Sequence, residues 1–65
     1  METMPFGVAL TCDIEAIVMD GECRRLRWAT VERYLASKYK VSVPQLRRAA
    51  PWAERVYREQ RTLMS

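Results

Sequence analysis

Basic side chains that could bind a polyanion are concentrated in one part of this 65-residue sequence. All 11 Lys and Arg residues lie in residues 24–65 beside three carboxylates, whereas residues 1–23 carry five carboxylates and no basic residue. The two parts therefore have net charges of −5 and +8, which together give the chain its net charge of +3. Such a division of charge indicates a polyanionic partner.

The sequence lacks side chains that most enzymes and metal sites need. It contains no histidine and only two glycines, hence no glycine-rich phosphate loop, so we expect no catalytic residue. The two thiols, Cys12 and Cys23, cannot complete a four-ligand zinc site unless carboxylates or a second chain contribute. We expect both to be small, partly buried hydrophobic residues in a reducing cytosol, with no metal and no cofactor.

The length of the chain limits it to a single small domain of marginal stability. A homodimer would enlarge the core, so the sequence is compatible with both a monomer and a homodimer. No targeting signal is recognisable at the N-terminus, and no apolar segment approaches a membrane-spanning length. We therefore expect a cytoplasmic protein with no membrane contact.

The N-terminal third has two possible structures. We expect residues 1–10 to form a loose arm and residues 11–65 to form a single helical domain. A helix over residues 11–21, capped by Thr11 or Asp13, places several apolar residues on one stripe: Leu10, Ile14, Ile17 and Val18. The alternative is a β-hairpin around Asp20-Gly21, a strong two-residue turn signal. The helix explains the apolar positions better, because neither face of the hairpin would be uniformly apolar.

Three further short helices are predicted after a polar connector, residues 22–27. The second begins near Trp28 or Thr30 and ends before a turn at Lys40 and Val41. Residues 42–50 follow as a third, basic helix, whose start carries a capping box formed by Ser42 and Gln45. A helix pair of this kind can place its second helix in the major groove of DNA.

Pro51 ends the third helix, because a proline inside a continuous helix removes a hydrogen bond and clashes with the preceding turn. A fourth helix is expected over residues 51–63, with Trp52, Val56 and Leu63 on its apolar side. The sequence therefore predicts an all-α fold of three to four short helices.

Residues 30–50 carry a pattern that resembles a known family. The pattern Leu35-Ala36-x-x-x-Lys40-Val41-Ser42-x-x-x-Leu46-Arg47-Arg48-Ala49 is similar to the helix-turn-helix of DNA-binding proteins, in the version found in phage and bacterial regulators and mobile-element proteins. The resemblance implies that Val41 points into the core and that Lys40 occupies a turn position where the family favours glycine. Because that position is often left-handed, lysine there would cost roughly 1–2 kcal/mol.

The resemblance also implies a set of DNA contacts. Base contacts are expected from Gln45, Arg47 and Arg48, because Gln can make a bidentate contact to adenine and Arg to guanine. Val43 is expected to face outward beside them. Phosphate contacts are expected from Lys38, Lys40, Ser42, Arg24, Arg25 and Arg27.

Two functional hypotheses follow. The first is a small sequence-specific protein that binds double-stranded DNA, either a transcriptional regulator or an excisionase-like factor. The second is a protein–protein interaction module, such as a phage inhibitor or an antitoxin-like adaptor, that reuses a helix-turn-helix scaffold. In the second hypothesis, the acidic residues 1–23 would bind a basic host protein or mask the basic face of the chain itself.

Overall fold

A computed structural model describes residues 5–64 and contains four α-helices in this range: α1 (Phe6–Met19), α2 (Trp28–Lys38), α3 (Val43–Ala49) and α4 (Ala53–Met64). A single 3-10 turn, Cys23–Arg25, connects α1 to α2. No strand occurs in residues 5–64, so the predicted all-α fold is confirmed.

The first helix begins earlier than the sequence indicated. Helical hydrogen bonding starts with the Ala9 N–H donating to the Pro5 carbonyl at 2.9 Å, so residues 6–10 belong to α1 and not to an arm. The ring of Phe6 packs edge-on against Tyr39, with 5.2 Å between ring centroids, and this contact holds the first turn in place. The remainder of the predicted arm, residues 1–4, lies outside the described residues.

Neither predicted N-cap of the first helix acts as a cap, since both residues lie inside α1. The Thr11 hydroxyl donates to the Gly7 carbonyl at 2.8 Å, a bond to the preceding helical turn. Asp13 instead binds the end of α2, as described below.

The hairpin alternative at Asp20-Gly21 is wrong. A two-residue hairpin turn with Gly second needs positive φ at both residues, but Asp20 has a φ of −79° and neither glycine has positive φ. Asp20 Oδ1 accepts hydrogen bonds from the backbone N–H groups of Glu22 at 2.9 Å and Cys23 at 3.1 Å. Asp20 therefore ends α1 and starts the 3-10 turn.

The core is built from all four helices. Its buried apolar residues are Leu10, Ile14, Val18, Val31, Leu35, Ala36, Leu46, Ala50, Ala53 and Tyr57. The stripe predicted on α1 is confirmed for Leu10, Ile14 and Val18, and Ile17 packs at its edge. Tyr57, which is fully buried, donates its hydroxyl proton to the Leu26 carbonyl at 2.7 Å, and so ties α4 to the connector before α2.

The predicted apolar side of the fourth helix is partly wrong. The helix begins at Ala53, two residues later than expected, and buries Ala53 and Tyr57. Trp52 and Val56 pack at the margin of the core, whereas Leu63 is 77% exposed. The shift arises because Pro51 and Trp52 form a turn, in which the Ala53 N–H donates to the Ala50 carbonyl at 3.1 Å.

Both cysteines are free thiols. Cys23 is half-buried, as expected, but Cys12 is exposed on α1.

Candidate nucleic-acid interface

The turn between α2 and α3 has the backbone geometry that the sequence pattern implied. Lys40 has a φ of 57°, the only positive φ among residues 5–64. The Val41 N–H donates to the Ala36 carbonyl at 2.9 Å, and the Lys40 N–H donates to the Ser37 carbonyl at 3.2 Å. These two bonds form a Schellman motif, which normally has glycine at the left-handed position. The turn ends α2 sharply and fixes where α3 begins.

Val41 and Val43, which follow this turn, have the reverse of their expected exposure to solvent. Val41, which was expected in the core, is 37% exposed, whereas Val43, which was expected to face outward, is half-buried against the core. The outward face of α3 is therefore narrower than predicted, and its polar residues are Gln45, Arg47 and Arg48.

Gln45 is tied to the N-terminus of α3 by the predicted capping box, which is confirmed. The Gln45 Oε1 accepts from the Ser42 N–H at 2.8 Å, and the Ser42 Oγ accepts from the Gln45 N–H at 3.2 Å. A bidentate adenine contact needs both the carbonyl and the amide NH2 of a glutamine. Because the carbonyl already accepts a bond, an adenine contact by Gln45 competes with the cap.

Arg47 forms a two-point ion pair with Glu32 on α2. Its Nε–H donates to Glu32 Oε2 at 2.8 Å and its Nη2–H donates to Glu32 Oε1 at 2.9 Å. The two side chains are unequally exposed, at 67% for Arg47 and 4% for Glu32. The hydrogen bonds that Arg47 donates to Glu32, followed by the negative charge of Glu32, raise the pKa of the Arg47 guanidinium.

Glu32 is a residue of this candidate interface that sequence reasoning missed. It is the one charged residue buried in residues 5–64, and it lies one helical turn before Ala36 on the face of α2 that meets α3. A carboxylate on that face, 15 positions before an arginine of the predicted recognition helix, was the available signal. The acid lines a groove of ≈ 250 Å³ with Trp28, Arg47, Ala50, Pro51 and Glu54.

Arg48 differs from its neighbour. It is exposed on α3, and within residues 5–64 no carboxylate forms an ion pair or a hydrogen bond with it. Its full positive charge is therefore available to a partner of α3.

The predicted phosphate contacts divide into two groups. Lys40 and Ser42 lie beside the N-terminus of α3, where the helix-turn-helix pattern expects them. Lys38 lies nearby, but its Nζ donates to Asp13 Oδ1 at 2.6 Å, and this bond raises the pKa of the lysine. The ion pair leaves the lysine side chain 47% exposed, so it retains a solvent-facing edge.

The connector arginines lie elsewhere. Arg24 and Arg25 belong to the 3-10 turn, and Arg27 directly precedes α2. Because α2 has 11 residues, Arg27 and Lys40 are separated by the length of the helix, about 16 Å. The structure therefore does not bring the connector arginines to the turn.

No protein-family model, curated protein or solved structure matches the chain. The helix-turn-helix resemblance therefore rests on the residue pattern and on the local geometry described above.

No helix within residues 5–64 is both long and apolar enough to cross a membrane. In the same range, no three His, Cys, Asp or Glu side chains are grouped so that they could hold a metal ion.

Proposed function

We propose that this chain is a small sequence-specific DNA-binding protein, a transcriptional regulator or an excisionase-like factor, that places α3 in the major groove. The observation that carries the proposal is the left-handed turn at Lys40, which joins α2 to a capped and basic α3. A helix that meets DNA in this way contacts base edges with its outward residues while the turn region meets the backbone.

The charge of α3 supports this proposal. The helix carries Arg47 and Arg48 and no acidic residue, and Lys40 lies immediately before it. Phosphate neutralisation by Lys and Arg supplies the sequence-independent part of DNA affinity. The exposed residues Lys40 and Arg48 fit that role, whereas Arg47 is partly neutralised by Glu32.

The short α3 supports the proposal that the protein acts as two copies. Seven helical residues extend about 10 Å, which spans roughly three base pairs. Two copies bound to a palindromic site would read two such segments about one helical turn, ~34 Å, apart. Dimer formation and DNA binding are therefore proposed together.

Selection from a random duplex library, combined with sedimentation of the free protein, tests the proposal. A palindromic consensus and a dimer are expected. If six phosphates are neutralised, log affinity should fall against log salt with a slope of about −5. The proposal is wrong if micromolar protein shifts no duplex at low salt.

A protein–protein module is the second candidate, and a separate observation favours it. Large apolar side chains outside α3 are exposed, among them Met19 at 72% and Leu63 at 77%. The acidic N-terminal third supports this candidate less than its charge indicated, because Asp13 binds Lys38 and Asp20 binds backbone N–H groups. A pull-down after nuclease treatment separates the two functions. Partners that survive nuclease support the module, whereas loss of all partners supports DNA binding.

A further inference from the structure

We infer that Glu32 is a positioning residue that holds Arg47 in the orientation needed to contact one guanine, and that Arg47 is the principal base-reading residue of α3. The inference rests on the proposed DNA-binding function and extends it to a specific pair of residues. It also names a ligand class for the outward edge of Arg47, the O6 and N7 acceptors of guanine in the major groove.

The ion pair with Glu32 leaves a second pair of parallel N–H donors on Arg47. A guanidinium carries five N–H donors: one on Nε and two on each terminal nitrogen. Glu32 accepts from the Nε–H and from one N–H of Nη2. The other N–H of Nη2 and one N–H of Nη1 are parallel and point away from the buried carboxylate. Two parallel donors of this kind match the two acceptors of guanine.

The burial of the pair argues that Glu32 orients Arg47 and does not withhold it from DNA. The carboxylate is 4% exposed below the guanidinium, whereas the Arg47 side chain is 67% exposed above it. Breaking the pair would leave an unpaired charge in the protein interior, which is strongly unfavourable. Arg47 therefore keeps its contact with Glu32 while its outer edge meets a base.

An arginine whose side chain is already ordered by an ion pair loses less conformational entropy when it contacts a base. A free arginine loses much side-chain conformational freedom when it binds, and a pre-ordered one loses less. The nearby carboxylate also cancels part of the positive charge, so a non-specific phosphate contact gains less from Arg47 than from Arg48. The pair thus favours base discrimination over general affinity.

The first measurement concerns the free protein. In the NMR spectrum, the Nε–H of Arg47 is expected to exchange slowly with solvent in the wild type and rapidly in the Glu32→Gln variant. Equal exchange rates in both proteins, with both folded by circular dichroism, would show that the pair does not form. This result would overturn the inference without touching the proposed function.

The second measurement uses the selected duplex with each guanine replaced in turn by 7-deazaguanine, which lacks the N7 acceptor. Wild-type affinity should fall by about tenfold at one guanine of each half-site, and Arg47→Lys should bind the substituted and unsubstituted duplexes equally. Glu32→Gln should lose most of this sensitivity to 7-deazaguanine. The double variant Glu32→Gln/Arg47→Lys should show the same sensitivity as Arg47→Lys alone. Arg48→Ala is the matched control, because it should keep the sensitivity and reduce the salt slope by about one.

The other outcomes overturn the inference in distinguishable ways. A gain in affinity on Glu32→Gln would mean that the carboxylate withholds Arg47 from DNA. A uniform loss of affinity on Arg47→Lys, with no guanine-specific effect, would mean that Arg47 contacts a phosphate. If the wild type binds no duplex, the proposed function fails and the base-reading role fails with it.

Discussion

The Asp13 carboxylate in the middle of α1 lies 2.6 Å from the Lys38 ammonium group at the end of α2. The neighbouring Tyr39 hydroxyl donates to the other oxygen of the same carboxylate. This arrangement joins α1 to the residues that immediately precede the Lys40 turn. Asp13, in the acidic part of the sequence, therefore holds the end of α2 and the start of the Lys40 turn against α1, in addition to contributing charge.

Acid is expected to destabilise the protein through Asp13. Partial burial of its carboxyl opposes ionisation, but the hydrogen bonds from Lys38 and Tyr39 outweigh it and lower the pKa below its ordinary 3.8. Because the folded-state pKa is depressed, this contribution is present above about pH 3.8 and is lost as the pH falls further. Urea unfolding of Asp13→Asn should show about 1–2 kcal/mol lower stability at neutral pH and a smaller loss in acid.

Glu15→Gln is the matched control for this measurement, since Glu15 is an exposed acid on the same helix. Because Glu15→Gln keeps the contacts of Asp13 with Lys38 and Tyr39, it should still lose the Asp13 contribution to stability in acid. If the stability of Asp13→Asn falls with decreasing pH as steeply as that of the wild type, Asp13 is not the residue responsible for the acid sensitivity.

Alkaline pH is expected to act through Tyr39. Burial, followed by the hydrogen bond and negative charge of Asp13, raises the pKa of Tyr39 to about 12 from its ordinary 10.0. A raised folded-state pKa means that the stabilisation is complete below pH 10 and disappears as the pH rises towards 12. In an ultraviolet titration, the difference between wild type and Tyr39→Phe should reveal one tyrosine that ionises near pH 12. Ionisation of that tyrosine near pH 10 would disprove the contact with Asp13.

Loss of the Tyr57 hydroxyl should weaken the junction between α4 and the connector. The hydroxyl donates to the Leu26 carbonyl at 2.7 Å from a ring that is fully buried. Tyr57→Phe keeps the ring but leaves that carbonyl without its donor, so a loss of about 1–2 kcal/mol is expected in urea unfolding. Tyr34→Phe, at a residue 56% exposed, should leave the unfolding midpoint unchanged. Equal midpoints for all three proteins would show that the bond contributes no stability.

Local sequence signals predicted that the four helices form and where the turn between α2 and α3 lies, but not where α1 and α4 begin. The apolar spacing of Leu10, Ile14 and Val18 identified α1, and the Ser42 and Gln45 pair identified the start of α3. These signals act within a few residues, so they require no knowledge of how the helices cross.

The contacts that define the candidate site depend on helix crossings and were not predictable in the same way. Glu32 and Arg47 are 15 positions apart, and the Tyr57 hydroxyl meets the Leu26 carbonyl 31 positions away. Asp13 was interpreted as a helix cap because the sequence does not reveal its contacts with Lys38 and Tyr39. The sequence therefore identified the basic residues of α3, but only the fold distinguishes Arg47, which pairs with Glu32, from Arg48, which pairs with no carboxylate of residues 5–64.

Lys40 offers a substitution with opposite effects on stability and on DNA binding. Its left-handed conformation, with a φ of 57°, costs a residue with a Cβ roughly 1–2 kcal/mol, whereas glycine adopts it without that cost. The greater conformational freedom of glycine in the unfolded chain offsets part of this gain, so Lys40→Gly should stabilise the protein by about 0.5–1 kcal/mol in urea unfolding. Ser37→Gly, at an exposed helical position of α2, should instead destabilise it by about 0.5 kcal/mol.

Under the proposed function, the same Lys40→Gly variant should bind DNA more weakly. Removal of one phosphate-binding cation lowers affinity about equally for all sequences and reduces the salt slope by about one. A more stable protein with a reduced salt slope can be explained only by a direct role of the lysine charge, because an unfolded variant would lose both properties. An unchanged salt slope would place Lys40 outside the interface, and a lower unfolding midpoint would mean that the left-handed turn is not the conformation in solution.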